Sequence, residues 1–157
     1  MRTNNSKVKN LIVSVYFVLV MLAIFSAFVF QSLRHLTPNP FLTLVLVAVI
    51  FLGIFFLVHR VSKYFEYDSD GHKVVIINKG LLLTEYLNYR EKSIEFEKEN
   101  LLGFKFRNLL FVKTLDVYYK DRKGIKRKET FNITLVPKKK RRYIRQSLSK
   151  MIKANTN

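Results

Sequence analysis

Two long apolar runs dominate the first third of the chain, Leu11–Phe30 and Phe41–Val58, and neither contains a charged residue. A helix rises about 1.5 Å per residue, so a hydrocarbon core of about 30 Å takes roughly 20 apolar residues. The first run meets that length. The second reaches it with His59, Val61 and the stem of Arg60, whose charged head can snorkel to the interface. The pattern predicts a hairpin of two transmembrane helices, with spans at 11–30 and 41–59. A cleaved signal sequence, suggested by Arg2, Lys7 and Lys9, would have a shorter apolar stretch ending at a small-x-small site. Here Ser26-Ala27-Phe28 runs on into more apolar residues and then a second span. Two buried core helices are also excluded, because the remaining chain could not cover helices that are apolar all round.

From Lys63 the period shortens to two. Lys63–Tyr67, Lys73–Asn78, Leu81–Tyr89, Ser93–Glu97, Leu102–Arg107, Val112–Tyr119 and Lys126–Val136 are expected as seven short strands. Turn residues separate them, most clearly Asp68-Ser69-Asp70-Gly71, Lys79-Gly80 and Asp121-Arg122-Lys123-Gly124. Strands at this spacing suggest a small antiparallel barrel or sandwich. Leu102, Phe104 and Phe106 share one face, and Phe104, Phe106, Phe131, Ile133 and Leu135 are expected inside. After Pro137, well placed in a first helical turn, Ile144, Leu148, Met151 and Ile152 form a helical stripe. That amphipathic helix would cap one open end of the barrel. The expected class is an α+β membrane protein, with the flank and hairpin at 1–62 and the strand-rich domain at 63–157.

Charge sharpens this division. A mean hydropathy of +0.06 averages two unlike halves of the 157 residues. From Arg60 onward lie 24 of the 28 basic residues and all 11 acidic ones. The N-terminal flank carries Arg2, Lys7 and Lys9, the link Gln31–Pro40 only Arg34 and His35, and a basic domain follows the second span. By the positive-inside rule both termini are expected in the cytosol. Within the hairpin the polar or small residues noted are Ser14, Ser26, Thr43 and Gly53. No Asp, Glu, Lys or Arg lies inside either span, which argues against a transporter or proton path. The hairpin reads as an anchor, or as a surface for partner helices.

Candidate contact residues follow from the cations. Lys138, Lys139, Lys140, Arg141 and Arg142 stand consecutively at a helix N-terminus, where the macrodipole prefers anions. An anionic partner would recover that loss, and for a tethered domain lipid headgroups are the nearest such partner. Arg145 extends this face, and Arg60 and Lys63 fall at the membrane edge. A solvated positive face, an acidic protein or a nucleic acid would fit the same residues. The net charge of +17 invites the nucleic-acid reading, and Leu102-Gly103-Phe104-Lys105-Phe106 faintly matches an RNA-binding strand. Alternating Phe and Lys is equally the pattern of a half-buried strand, and a membrane tether weakens the case further.

Catalytic chemistry finds little support. The absence of cysteine excludes thiol catalysis, disulfides and cysteine-ligated metals. His35, His59 and His72 are scattered. Asp68–Gly71 lacks the later Glu of a calcium loop, and with five glycines no phosphate-cradling loop appears. Asn132-Ile133-Thr134 is a glycosylation sequon without meaning in the cytosol. No cofactor, metal, nucleic acid or small-molecule substrate is expected.

Seven strands followed by one helix resemble the bacterial pleckstrin-homology-like domains of small membrane proteins, over about Lys63 to Ala154. The matching residues are Phe65-Glu66-Tyr67-Asp68 with Gly71, Ile77-Asn78-Lys79-Gly80-Leu81, Phe131-Asn132-Ile133 and the basic helix from Pro137. The whole is similar to short two-span proteins of Bacteroidetes-type bacteria. The resemblance is architectural and brings no catalytic signature and no lipid-binding motif. It implies a non-enzymatic accessory or scaffold protein of the bacterial inner membrane, displaying an interaction module on the cytosolic face. Its partners would be anionic lipid and a membrane protein packed against the hairpin. The alternative is a sensor of anionic headgroups.

Overall fold

The computed structural model describes residues 1–32, 39–80 and 92–156. They form two compact units, Lys7–Arg60 and, separately, Met1–Ser6 with Val61–Asn157.

The first unit is helical. α1 (Lys9–Ser32) and α2 (Pro40–Val61) are both long and apolar enough to cross a membrane. Side chains such as Phe17, Phe25, Phe28, Phe41 and Phe56 are exposed on their surfaces, which is what a helix shaped for a non-aqueous surrounding shows. Three hydroxyls are absorbed locally, while that of Tyr16 is out of solvent without a hydrogen-bond partner. Ser14 donates to the Asn10 carbonyl, Ser26 to Ala23 and Thr43 to Asn39. Tyr16 and Phe55 pack with ring centroids 5.4 Å apart.

The second unit is α+β. Its seven described strands are β1 (Arg2–Asn4), β2 (Lys63–Asp68), β3 (Lys73–Gly80), β4 (Lys92–Glu97), β5 (Leu101–Leu109), β6 (Val112–Lys120) and β7 (Lys126–Asn132). All neighbours pair antiparallel. They make two sheets, in the orders β1-β2-β3-β4 and β5-β6-β7, rather than one closed barrel. α3 (Lys138–Thr156) follows. Period-two patterning built the core: Phe65 and Tyr67, Val74 and Ile76, Ile94 and Phe96, Leu115 and Val117 alternate inward, joined by Phe131, Ile133, Ile144 and Leu148.

Several sequence expectations need correcting. The strand at Arg2–Asn4 was not anticipated, and the first six residues, grouped above with the hairpin, belong to the sheet unit. The expected strand Leu81–Tyr89 lies outside the described residues. β7 stops at Asn132, not Val136. The Asn132 carboxamide accepts from the Thr134 backbone at 3.0 Å and from its hydroxyl at 2.7 Å, closing a turn that competes with the ladder. Ile133 and Val136 are buried, while Leu135 is only half-buried. A β-bulge between Leu101 and Gly103 turns Leu101 into the core and leaves Leu102 exposed. Phe104 and Phe106 are partly buried against the core rather than enclosed by it.

Lys79-Gly80, expected as a turn, instead pairs with Tyr64 and Lys63 as the last two residues of β3, because the ladder with β2 runs to its end. The turns at Gly71 and Gly124 match expectation. Gly71 (φ 66°) and Gly124 (φ 76°) take the left-handed conformation that glycine adopts without steric penalty. Arg141 donates its backbone N–H to Pro137 at 3.0 Å, so the proline lies outside the helical hydrogen-bond donors, where its missing N–H does no harm. Ile144 and Leu148 are fully buried, with Met151 and Ile152 packed beside them.

Candidate functional site: the cationic end of the sheet domain

Strand directions and three asparagines define this end. Lys63, opening β2, pairs with Gly80 at the close of β3, and Asn78 pairs with Lys92 at the start of β4. Asn78 joins the sheets here. Its amide donates to the carbonyls of Tyr64 (2.9 Å) and Asn132 (3.0 Å). Asn132 ends β7 opposite Thr114, which pairs with Arg107 just below the β5–β6 turn. α3 begins six residues beyond Asn132.

The N-terminal segment is clasped to the same end by Asn5, whose side chain is 1% exposed. Its amide donates to the Lys63 carbonyl at 3.0 Å and accepts from the Phe65 N–H at 2.9 Å, while its own N–H donates to the Phe65 carbonyl at 3.2 Å. One side chain therefore continues the backbone ladder. The points where the chain leaves the sheet unit for α1 and returns from α2 lie side by side.

This end gathers Lys63, Lys79, Lys92, Arg107, Lys113 and the run Lys138–Arg142. Within it Lys92 pairs with Glu129 at 2.5 Å and Arg107 with Asp116, whereas the carboxylates of Asp68, Asp70, Glu97, Glu99 and Asp121 belong to the opposite ends of their strands and turns. A groove of about 750 Å³ lies at that opposite end, where Lys73 pairs with Glu95 at 2.6 Å and Arg127 with Asp121 at 2.8 Å. Among the described residues no group of three His, Asp or Glu could hold a metal ion.

Within the predicted cluster the roles divide. Lys138, Lys139 and Arg142 are exposed. Lys140 donates to the Asn4 carbonyl, tying α3 to the N-terminal strand. Arg141 is half-buried, with its Nε out of solvent and without a hydrogen-bond partner. Arg145 lies with its guanidinium 4.9 Å from the centre of the Phe106 ring, a cation–π contact. Lys63 is half-buried, and burial lowers its pKa. Arg60, at the end of α2, is exposed. Beside Lys63, burial and the Glu66 carboxylate push the Tyr64 hydroxyl up to about 12. Its O–H donates to Glu66 at 2.7 Å, and Arg2 approaches the other Glu66 oxygen at 2.7 Å.

A second charged cluster was not anticipated. Asp116 is 1% exposed on β6, on the side away from Leu115 and Val117. It accepts from the Thr130 hydroxyl at 2.8 Å and pairs with Arg107 and, at 3.3 Å, with Lys128. Burial works to raise its pKa, but these three partners together outweigh it and hold the carboxyl below the usual Asp value. An alternating strand in which Asp stands between Leu and Val was the available signal, since a carboxylate there must find cations once its face is covered. The clasp by Asn5 had no sequence signal, because its partners are some 60 residues away.

Comparison with protein-family models, with curated proteins and with solved structures returns no match.

Proposed function

We propose that this chain is a non-enzymatic accessory or scaffold protein of the bacterial inner membrane, in which α1 and α2 anchor a pleckstrin-homology-like module at the cytosolic face. The carrying observation is the pairing of Arg2–Asn4 with β2, secured by Asn5. A domain assembled from both sides of the two-helix segment has its ends on one face of the bilayer, and two crossings return the chain to that face. α1 has 24 residues and α2 has 22, about 36 and 33 Å of helix against a core of about 30 Å. Their lipid-like surfaces need cover, and with Ser14, Ser26 and Thr43 bonded to their own helices and the unpartnered Tyr16 hydroxyl buried, packing is the main means by which a partner helix would bind. The positive flanks favour the cytosol for the domain.

The cationic end supports a second role for the same module, contact with anionic headgroups through Lys138, Lys139 and Arg142. Each cation near such a surface contributes about 1 kcal/mol, and all three are exposed.

The topology is tested by fusing alkaline phosphatase to the full chain. A fusion at Asn39 is expected to be active and one at Asn157 inactive. The reverse pattern overturns the cytosolic assignment, and activity at both sites overturns the two-span hairpin.

A further inference from the structure

We propose that the tip of the β5–β6 hairpin, Leu109-Leu110-Phe111, inserts into the outer acyl region of the anionic bilayer against which the domain is held. The proposal rests on the membrane-anchored reading above and adds to it a second, peripheral attachment.

The tip is chosen against the chemistry of folding. Leu109 pairs with Val112, so Leu110 and Phe111 are the two residues of the turn. Two-residue hairpin turns favour Asn, Asp and Gly, because they require φ above zero. Leu110 adopts φ 44°, a conformation that strains a residue with a branched side chain. Nothing among the described residues compensates. Leu109 is 61% exposed, Leu110 96% and Phe111 76%, so the three contribute little packing while presenting a continuous apolar point to water. A turn sequence unfavourable both for backbone and for hydration is explained by something that removes it from water.

The surroundings identify that something as lipid. Arg107, which also pairs with Asp116, stands three residues before Leu110 and Lys113 two after Phe111, opposite Thr114 and Asn108 respectively, with Lys105 two residues further along β5. An apolar point above a cationic collar reproduces the layering of an anionic leaflet, with acyl chains beneath phosphates. The collar belongs to the cationic end described above. Asn5 and Lys63, through which the chain passes to α1 and from α2, lie at that same end, linked to β7 by Asn78. Size decides against a protein partner. Three side chains fall well short of the roughly 800 Å² per partner of a stable protein interface, whereas shallow insertion needs only a few apolar side chains beside cations.

The chain has no cysteine, so single labels report single sites. Full-length Leu110→Cys, Lys123→Cys and Val49→Cys variants, each carrying an environment-sensitive fluorophore, are reconstituted into phosphatidylcholine vesicles containing phosphatidylglycerol. The label at 110 is expected to emit blue-shifted light, to resist aqueous iodide and to be quenched by lipid spin-labelled near the headgroup. The label at 123, in the β6–β7 turn at the opposite end, is expected to stay fully open to iodide. Replacing Leu109 and Phe111 by Ser in the Leu110→Cys chain should return position 110 to iodide access. The proposal is overturned if 110 is as accessible as 123, or if it resists iodide without being quenched by spin-labelled lipid, which would mean a protein contact. The label at 49, within α2, separates the two readings. Deep-lipid quenching at 49 with an aqueous 110 defeats the tip alone, and an aqueous 49 defeats the anchor.

Discussion

Asn5 offers a sharp test of how the sheet domain is assembled. In Asn5→Ala the backbone N–H of residue 5 still reaches the Phe65 carbonyl, but two β2 groups lose their partner, the Phe65 N–H and the Lys63 carbonyl. Phe65 is fully buried, so its stranded N–H should cost about 1–3 kcal/mol. The Lys63 carbonyl belongs to a half-buried residue and retains a route to water, adding about 0.5–1 kcal/mol. The expected sum, about 1.5–4 kcal/mol, is a large share of the roughly 5–15 kcal/mol that holds a domain together. The direct Asn5–Lys63 bond means that a short Gly/Ser linker can replace Lys7–Arg60, giving a domain without α1 and α2. Denaturant unfolding of that joined domain measures the loss directly, and in a thermal scan it should appear as a drop on the order of 10–30 °C. Lys63–Asn157 alone, which leaves β2 without β1, should be less stable still. The reasoning fails if Asn5→Ala lies within about 0.5 kcal/mol of the parent, the range of an ordinary surface change. It fails equally if Lys63–Asn157 is as stable as the joined domain.

Asp116→Asn should cost about 1–3 kcal/mol at neutral pH by weakening charge-assisted bonds to Thr130, Arg107 and Lys128. Because the folded pKa lies below the ordinary 3.8, this stabilisation is fully present above that value and is lost as pH falls through the depressed one. The gap between parent and variant should therefore close in acid, and a gap that stays constant would contradict the network. Changing Lys138, Lys139 and Arg142 to Gln in the joined domain should weaken binding to phosphatidylglycerol vesicles by about 3 kcal/mol, roughly a hundredfold, without unfolding it. Lys140 is left intact because it ties α3 to Asn4, and Arg141 because it is half-buried. The difference should shrink near 1 M salt, where the Debye length is about 3 Å, and equal binding by parent and variant at low salt would end the headgroup reading.

What could be read from the residues was whatever depends on near neighbours in sequence. The two apolar helices are legible because uncharged runs of that length fit only a non-aqueous surrounding or a larger core. β2, β3, β4, β5 and β6 are legible because alternation of period two is intrinsic to a pleated strand with one buried face. The Ile144–Leu148 stripe and the glycine turns are local for the same reason. Tertiary structure decided the remainder. Arg2–Asn4 is three polar residues ahead of a helix, and becomes a strand only because the edge of β2 is brought to it across two helices. β7 ends at Asn132 because a side chain there competes for the backbone of Thr134. Within the basic run, the separation of exposed Lys138, Lys139 and Arg142 from Lys140, which bonds Asn4, depends on where Asn4 lies. The exposed Leu109-Leu110-Phe111 tip was present as letters, but only the hairpin showed that these three face no core. Contacts between residues distant in sequence carry no local pattern, and their energies appear only when the chain has folded.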